Sequence, residues 1–334
     1  MDCKDGSLAV SVPRVLIIAG SDSSGGAGIV RDVETVTTFG LKAAVAVTAV
    51  TAQSDRRVTA VQAMEPGLVA AQMEAALEGG LVGAVKIGML ADAAIVAAVS
   101  DVLERHPGLP VVLDPVLAST SGRVLLEPDG VRIMLERLLP RAELVTPNLP
   151  ELALLTGGKD FAASVEALAQ LGIRAALIKG GHANDVVQAR LTIGEGTQHS
   201  PPSPFGEKCR AQRGDEGAAA CSEYVASPSS DPSGHLLPEG RSGRAAHPPS
   251  FQSNSGICSD LLIRPGQPAL PFNSPRLPGT LRGTGCMLAS AIACGLASGR
   301  DLEASIRVAK GYVTAAFKDS QREAISPETR STAD

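Results

Sequence analysis

Short, almost wholly apolar segments alternate with amphipathic ones through the first half of the chain. Predicted strands include residues 14–20 (RVLIIAG), 43–52 (AAVAVTAVTA) and 110–114 (PVVLD), with predicted helices between them. Strands that lack a polar face must be covered on both sides, which is the arrangement of parallel sheets between helices. The alternation therefore predicts a doubly wound α/β fold with a mostly parallel central sheet.

The remaining elements follow the same pattern of apolar periodicity and Gly or Pro boundaries. Further strands end near residues 88, 148 and 181, and residues 260–263 and 268–277 are predicted to form a hairpin or edge strands. Helices are predicted over residues 29–39, 66–78, 93–105, 128–140, 164–171 and 302–317, with a short one from residue 150 and a small-residue helix after residue 283.

Composition and charge narrow the class of protein. Hydrophobic residues make up 44% of the 334 residues while aromatic residues make up 2%, so the core must be built from Ala, Val, Leu and Ile. A formal net charge of −5 argues against nucleic acid or an anionic membrane as a partner. No signal peptide or membrane-spanning run is recognisable, and the six scattered Cys residues form no CxxC pair. We therefore expect a reduced, cytoplasmic protein.

The composition changes in the second half of the chain. From about residue 195 to 256, Ser, Pro and Gly dominate and large apolar residues are few. Such a segment buries too little surface to offset the entropy of ordering it. We predict a single domain over residues 1–334, with its core at about 14–185 and 258–320, interrupted by a low-complexity, disordered insertion over 186–257.

Polar residues follow several predicted strands, at the edge of the sheet where α/β proteins bind ligands. Asp114 ends an apolar strand and could organise Mg²⁺ and phosphates, or could cap a turn. Asn148 and Glu151 could share a metal–phosphate site or could only begin a helix. Lys179 could neutralise phosphate or lie on the surface. Asp32 and Gln53 could hydrogen-bond a heteroaromatic ring, although Asp32 could equally be a solvated helix residue.

The segment Gly283-Thr284-Gly285-Cys286 feeds a helix. Two glycines allow close backbone approach, and the free N–H groups and dipole of a helix N-terminus attract an anion. The segment therefore predicts a phosphate cradle, although a plain helix-starting turn would look the same. A thiol in the first helical turn should have a lowered pKa, so Cys286 is a candidate general base. The alternative is a small buried Cys, which is our prediction for Cys294.

Taken in order, seven segments resemble the hydroxymethylpyrimidine/phosphomethylpyrimidine kinase family of the ribokinase-like superfamily. They are IIAGSDSSGGAGI, TAVTAQ, KIGML, VLDPV, TPNLPE, KGGH and GTGC. The resemblance covers nearly all of residues 14–182 and 260–318. It implies a three-layer α/β/α sandwich and a kinase that uses ATP and Mg²⁺ to phosphorylate a small pyrimidine twice for thiamine biosynthesis.

The resemblance also implies a role for each matched residue. Asp114 and Glu151 would organise Mg²⁺-ATP, with Asn148 beside them and Lys179 near the nucleotide. Cys286 would be the catalytic base. The pyrimidine pocket would be lined by Gly20, Asp32, Gln53 and Met89, and the anion hole would be formed by Gly283, Thr284 and Gly285.

Two departures and several alternatives remain open. The family usually has His before GTGC, whereas this chain has Arg282, which could bind phosphate and alter the second phosphoryl transfer. The insertion over 186–257 interrupts the region before the anion hole.

The rival functions are a pyridoxal or pyridoxine kinase of the same fold and a non-catalytic pyrimidine-binding regulator. Relatives are often dimers, which makes a homodimer an open expectation.

Overall fold

A central β-sheet positions every candidate site residue. The computed structural model describes residues 12–119, 122–158, 160–181 and 256–325, all of which belong to one compact unit. The strands are β1 (Arg14–Asp22), β2 (Lys42–Gln53), β3 (Val58–Ala63), β4 (Val82–Ile87), β5 (Val111–Leu113), β6 (Leu144–Val145), β7 (Ala176–Gly181), β8 (Ile257–Ile263) and β9 (Leu270–Pro275). The helices are α1 (Gly28–Thr38), α2 (Pro66–Glu78), α3 (Ala93–Arg105), α4 (Pro128–Ile133, continued by a π-helical turn over Met134–Leu138), α5 (Leu149–Thr156), α6 (Phe161–Gln170), α7 (Thr284–Ala297) and α8 (Leu302–Ile325).

The strand order within the described residues is β3-β2-β1-β4-β5-β6-β7-β8-β9. Strands β2, β1, β4, β5, β6 and β7 run parallel, whereas β3, β8 and β9 pair antiparallel at the two edges. The chain turns to opposite sides of β1 to reach β2 and β4. Such a reversal opens a crevice at the carboxyl ends of the strands, where α/β proteins bind ligands.

Hydrophobic cores lie on both faces of the sheet because alternate strand residues point to opposite sides. Leu16 and Ile18 of β1 belong to one core, while Val15 and Ile17 belong to the other. The first core includes residues of α2 to α6 and the second includes residues of α1, α7 and α8. Fully burying one such aliphatic side chain contributes roughly 1.5–3 kcal/mol. The predicted α/β sandwich with a mostly parallel sheet is confirmed.

Several boundaries differ from the predictions. Strand β3 was not predicted, because its residues alternate between exposed and part-buried and lack the apolar run of the inner strands. The helix predicted over 128–140 is α-helical only to Ile133, the strand predicted to end near residue 148 keeps only Leu144–Val145, and the last helix continues past residue 317 to Ile325.

The predicted insertion lies almost entirely outside the described residues, so its disorder stays a prediction. Strand β8 begins at Ile257, at the predicted end of the insertion. Among the described helices, none combines the length and the apolar character that crossing a membrane requires.

Candidate active site

The loop after β1 folds back over the strand that it leaves. Gly28 has φ +60°, and a Cβ atom there would lie 2.4 Å from the carbonyl oxygen of Gly20, so only glycine fits at this position. Asp22 fixes the loop, because its carboxylate accepts hydrogen bonds from the backbone N–H of Ser24 at 2.9 Å and from the Ser24 hydroxyl at 2.8 Å. The loop thereby lies against the start of α1.

The N-terminus of α7 meets this loop. Gly283 is the N-cap residue in a left-handed conformation, and no side chain caps the helix. Thr284, Gly285 and Cys286 form the first turn, whose N–H groups have no partner within an α-helix. A Cβ atom at Gly285 would lie 3.3 Å from Lys179 Nζ and 3.7 Å from an oxygen of Asp114. The predicted anion cradle therefore lies directly beside a buried ion pair.

Asp114 and Lys179 form that ion pair at the ends of β5 and β7. Lys179 Nζ donates to Asp114 Oδ1 at 2.8 Å, and the Thr146 hydroxyl donates to the same oxygen at 3.0 Å. Burial opposes ionisation of Asp114, but the charges of Lys179 and then Lys86 outweigh it and lower the pKa of this carboxyl. Asp114 is therefore a charged, pre-positioned carboxylate.

Asn148 and Glu151 begin helix α5 as a capping box. The Asn148 side chain accepts from the Glu151 N–H at 2.8 Å, and the Glu151 carboxylate accepts from the Asn148 N–H at 2.8 Å. The helix-start interpretation of the pair is thus confirmed. Glu151 also lies 3.9 Å from Lys179 Nζ, and burial raises its pKa to about 7. The same carboxylate therefore caps a helix and borders the ion pair.

The two carboxylates beside Lys179 suit a Mg²⁺ ion that nucleotide phosphates also bind, rather than a metal ion held by protein side chains alone. The described segments contain no cluster of three acidic, His or Cys side chains that could hold a metal ion. Mg²⁺ usually binds through one or two carboxylates, with water and substrate phosphates completing its octahedron. Asp114 and Glu151 supply the carboxylates that such a complex needs.

The placement of Asp32 corrects its sequence interpretation. Its carboxylate has no exposed surface and lies 2.7 Å from Lys86 Nζ, while the Ser290 hydroxyl donates to its other oxygen at 2.7 Å. Burial disfavours the Lys86 ammonium, but the adjacent Asp32 charge outweighs it and raises the pKa of Lys86. Both oxygens of Asp32 are engaged, so this residue ties α1 to β4 and α7 rather than facing a ring.

Cys286 is partly exposed in the first turn of α7. Burial raises the pKa of its thiol to about 11, and the charges of Asp32 and Asp114 add to the effect, while Lys86 and the Gly28 N–H oppose it. The sequence-based expectation of a lowered pKa is therefore wrong. Cys294 is fully buried, as predicted.

Three of the predicted pyrimidine-binding residues lie at the ends of neighbouring strands. A Cβ atom at Gly20 would lie 3.0 Å from Met89 Sδ, so the two residues are in direct contact. The Thr48 hydroxyl fixes the Met89 carbonyl at 2.6 Å. Gln53 donates a long 3.4 Å hydrogen bond to Asp22. Gly20, Gln53 and Met89 therefore surround the end of β1.

Arg282 joins two loops to the start of α7. Its guanidinium donates to the Ser24 hydroxyl at 2.9 Å, to Asp55 at 2.5 Å and to Asp22 at 3.1 Å. Together with Gln53 it lines a cavity of about 100 Å³, which we call the small cavity. Arg282 was predicted to bind ATP or phosphate, and the structure places it on the side of Gln53.

A second cavity of about 330 Å³, the large cavity, lies on the other side of the first turn of α7. Its wall includes Lys179, Thr284 and Gly285, together with an ion pair between Asp260 and Lys310 at 2.5 Å. Sequence reasoning missed both residues of this pair. The available signal was a carboxylate in the apolar strand β8 and a lysine on the buried face of α8, each of which needs a partner to be buried.

Comparisons with known proteins show which family the chain resembles. The family model described as phosphomethylpyrimidine kinase matches residues 22–216 and 246–327. The hydroxymethylpyrimidine/phosphomethylpyrimidine kinase of Rhizobium meliloti is 47% identical over 173 residues, which is 50% of this chain and 65% of that protein. The chain thus spans just under two thirds of this relative. The Streptomyces coelicolor kinase of the same name is 32% identical over 315 residues, covering 92% of this chain and 90% of that protein.

Solved structures show the same architecture. The phosphomethylpyrimidine kinase of Clostridium difficile is 26% identical with a TM-score of 0.60, covering 92% of this chain and 99% of that one. The ADP complex of Bacillus subtilis pyridoxal kinase has a TM-score of 0.64 at 23% identity and covers 92% of each chain, a likeness that establishes the fold alone. From the match of the family model and the full-length relative, we conclude that the chain belongs to the phosphomethylpyrimidine kinase family.

Proposed function

We propose that this protein transfers the γ-phosphoryl group of ATP to 4-amino-5-hydroxymethyl-2-methylpyrimidine, and then to the resulting monophosphate. The product diphosphate would serve thiamine diphosphate biosynthesis in the cytoplasm. The observation that carries the proposal is the position of the first turn of α7. Thr284 and Gly285 line the large cavity, whereas Arg282, one residue before this turn, lines the small cavity with Gln53.

The large cavity suits the nucleotide. Its volume lies in the range of small-molecule sites. Its wall carries Lys179 and Lys310, which are paired with Asp114 and Asp260. Asp114 and Glu151 would hold Mg²⁺, which when bound neutralises and orients the phosphates. Lys179 would then contact phosphate oxygens that displace it from Asp114.

The end of β1 suits the pyrimidine. Gly20 allows Met89 to pack against the end of β1, and the polarisable sulfur of Met89 packs favourably against an aromatic ring. The Gln53 amide offers a donor and an acceptor to the ring edge, and its 3.4 Å bond to Asp22 is long enough to exchange readily.

In the first transfer, the hydroxymethyl oxygen attacks the γ-phosphorus in line with the departing ADP oxygen. The free N–H groups of Thr284, Gly285 and Cys286 stabilise the charge on the transferred group. Cys286 in its thiolate form accepts the hydroxyl proton. Burial keeps most of this thiol protonated at neutral pH, so the reactive form is a minor one.

The test is ATP consumption by the purified protein with Mg²⁺ and each of three acceptors: hydroxymethylpyrimidine, its monophosphate and pyridoxal. We expect turnover of the first two and formation of the diphosphate, identified by phosphorus NMR. Preference for pyridoxal would replace the substrate assignment while leaving the kinase intact. Pyrimidine binding without any turnover would favour the non-catalytic regulator. The homodimer implied by the resemblance stays a prediction, which sedimentation velocity tests.

A further inference from the structure

Three arginines are among the residues that line the small cavity. Arg56 and Arg57 come from the turn between β2 and β3, and Arg282 comes from the start of α7. Asp55 is the acidic residue in the same wall. Asp22 pairs with Arg282 beside this wall, so three positive charges face two negative ones and leave a net charge of +1 around about 100 Å³, which is enough space for a phosphate group.

Arg56 and Arg57 are held by their backbone and not by their side chains. The turn is closed by a hydrogen bond from the Ser54 N–H to the Arg57 carbonyl at 3.0 Å. Both side chains are exposed. In the part of the chain that the structure describes, neither guanidinium has a carboxylate or carbonyl partner. Both groups are therefore available to an anion.

Arg282 is anchored by one carboxylate and loosely paired with another. Asp22 is only 5% exposed and also accepts from Ser24, so its bond to Arg282 Nη2 is sheltered from water. Asp55 is 80% exposed, and such solvent-exposed pairs contribute little to stability. A dianionic phosphate can therefore replace Asp55 at Nη1 while Asp22 keeps the guanidinium in place.

We propose that Arg56, Arg57 and Arg282 form a phosphate subsite that sets the preference of this protein for a monophosphorylated acceptor over the neutral alcohol. The proposal deepens the function proposed above and rests on it. Arg282 directly precedes Gly283, so a phosphate held by its guanidinium lies beside the first turn of α7, where the γ-phosphoryl group would be transferred.

The second phosphoryl transfer needs no protein base, because the attacking oxygen carries no proton. A deprotonated oxygen of the acceptor phosphate attacks the γ-phosphorus and forms a new P–O bond. The bond between the γ-phosphorus and the β–γ bridging oxygen breaks, and ADP leaves with the electron pair. The arginines offset the repulsion between two anionic reactants, a repulsion that the neutral hydroxymethyl group does not experience.

The test compares the ratio of kcat/KM for the monophosphate to kcat/KM for the alcohol. We expect the double variant Arg56→Gln/Arg57→Gln to lower this ratio about tenfold, and Asp55→Asn to raise it severalfold by removing the competing carboxylate. Arg132→Gln, which removes one arginine charge from an exposed pair with Glu136, is the control for an arginine outside the cavity and should leave the ratio unchanged.

Equilibrium binding of the monophosphate without ATP provides a second readout. We expect weaker binding in the double variant and tighter binding in Asp55→Asn. Equal ratios and equal affinities in all four proteins would overturn the subsite. Wild-type turnover of the alcohol but not of the monophosphate would overturn the subsite and the second transfer of the proposed function, and would leave only the first transfer standing. Turnover of neither acceptor, with no monophosphate binding, would overturn the proposed function and the subsite together.

Discussion

Gly283 lies so close to Gly26 that a Cβ atom on Gly283 would stand 2.4 Å from the Gly26 carbonyl oxygen. This contact joins the start of α7 to the loop after β1. Because Gly283 also has φ +72°, an alanine there would be strained in its backbone and would push the two loops apart. This close approach and the hydrogen bonds of Arg282 to Ser24 and Asp22 hold the anion cradle against the pyrimidine side of the site.

Gly283→Ala should lower the free energy of unfolding by roughly 2 to 4 kcal/mol and greatly reduce turnover. Gly299→Ala is the matched control. Gly299 follows the other end of α7 with φ +76°, and no atom lies within 4 Å of its Cβ position, so the cost there should be about 1 kcal/mol with activity retained. Chemical denaturation and ATP consumption measure both effects. Equal losses in the two variants would show that the contact with Gly26 is unimportant.

Cys286→Ala should slow the first phosphoryl transfer much more than the second. The alcohol must lose a proton, so its transfer should slow by about 10²–10⁴-fold, the usual contribution of a general base. The monophosphate attacks through an oxygen that is already deprotonated, so its transfer should slow much less. Single-turnover kinetics with each acceptor measure the two rates. Equal slowing of both would mean that Cys286 acts by shaping the cradle and not as a base.

The rate of the alcohol step should rise with pH. Burial raises the pKa of Cys286 to about 11. As long as the pH stays below that value, the thiolate fraction therefore rises about tenfold for each unit by which the pH increases. Between pH 7 and 9, single-turnover rates with the alcohol should therefore increase steeply, and those with the monophosphate should not. The slope should disappear in Cys286→Ala. A flat profile in the wild type would exclude thiolate formation as a limiting factor.

Removing only one partner of the Asp32–Lys86 ion pair should destabilise the protein more than replacing both partners with apolar residues. Lys86→Met alone leaves a buried carboxylate without its partner and should cost about 3–5 kcal/mol. Lys86→Met combined with Asp32→Leu removes both charges and should recover much of that loss. Thermal unfolding of the two variants measures the difference. If the double variant is the less stable one, the pair contributes net stability that hydrophobic packing cannot replace.

The fold could be predicted because its inner strands and its helices carry strong local patterns. Helix α1, for example, packs Val36 in the core with Ile29, Val33 and Phe39 beside it, which is the apolar stripe visible in the sequence. Strand β3 escaped prediction because it is an edge strand with little burial. Its pairing with β2 is a tertiary contact that no local periodicity records.

The sequence predicted which residues of the candidate site lie together, but not all of their partners. Motif order identified Asp114, Lys179 and the turn at Gly283, since parallel strands bring their carboxyl ends to one edge of the sheet. The partner of Asp32 could not be found, because Lys86 lies 54 residues away. The pKa of Cys286 was predicted in the wrong direction because the helix N-terminus is visible in a sequence, whereas burial, which dominates here, is not.

Glu151 should make the stability of the free protein depend on pH. Burial raises its pKa from 4.5 to about 7, so between these values the folded protein holds a proton that the unfolded chain has lost. The free energy of unfolding should therefore fall as pH rises through this window, by on the order of 1 to 3 kcal/mol from this group. Glu151→Gln keeps the capping box, because glutamine also reaches the N-cap N–H, but it cannot ionise. Urea unfolding at pH 5 and pH 8 should thus show a smaller decrease in the free energy of unfolding for the variant than for the wild type.

Glu136→Gln, at a carboxylate 57% exposed on the surface, should behave as the wild type does. An identical decrease in wild type and Glu151→Gln would show that Glu151 is already ionised at pH 5, and that Lys179 outweighs burial at this position.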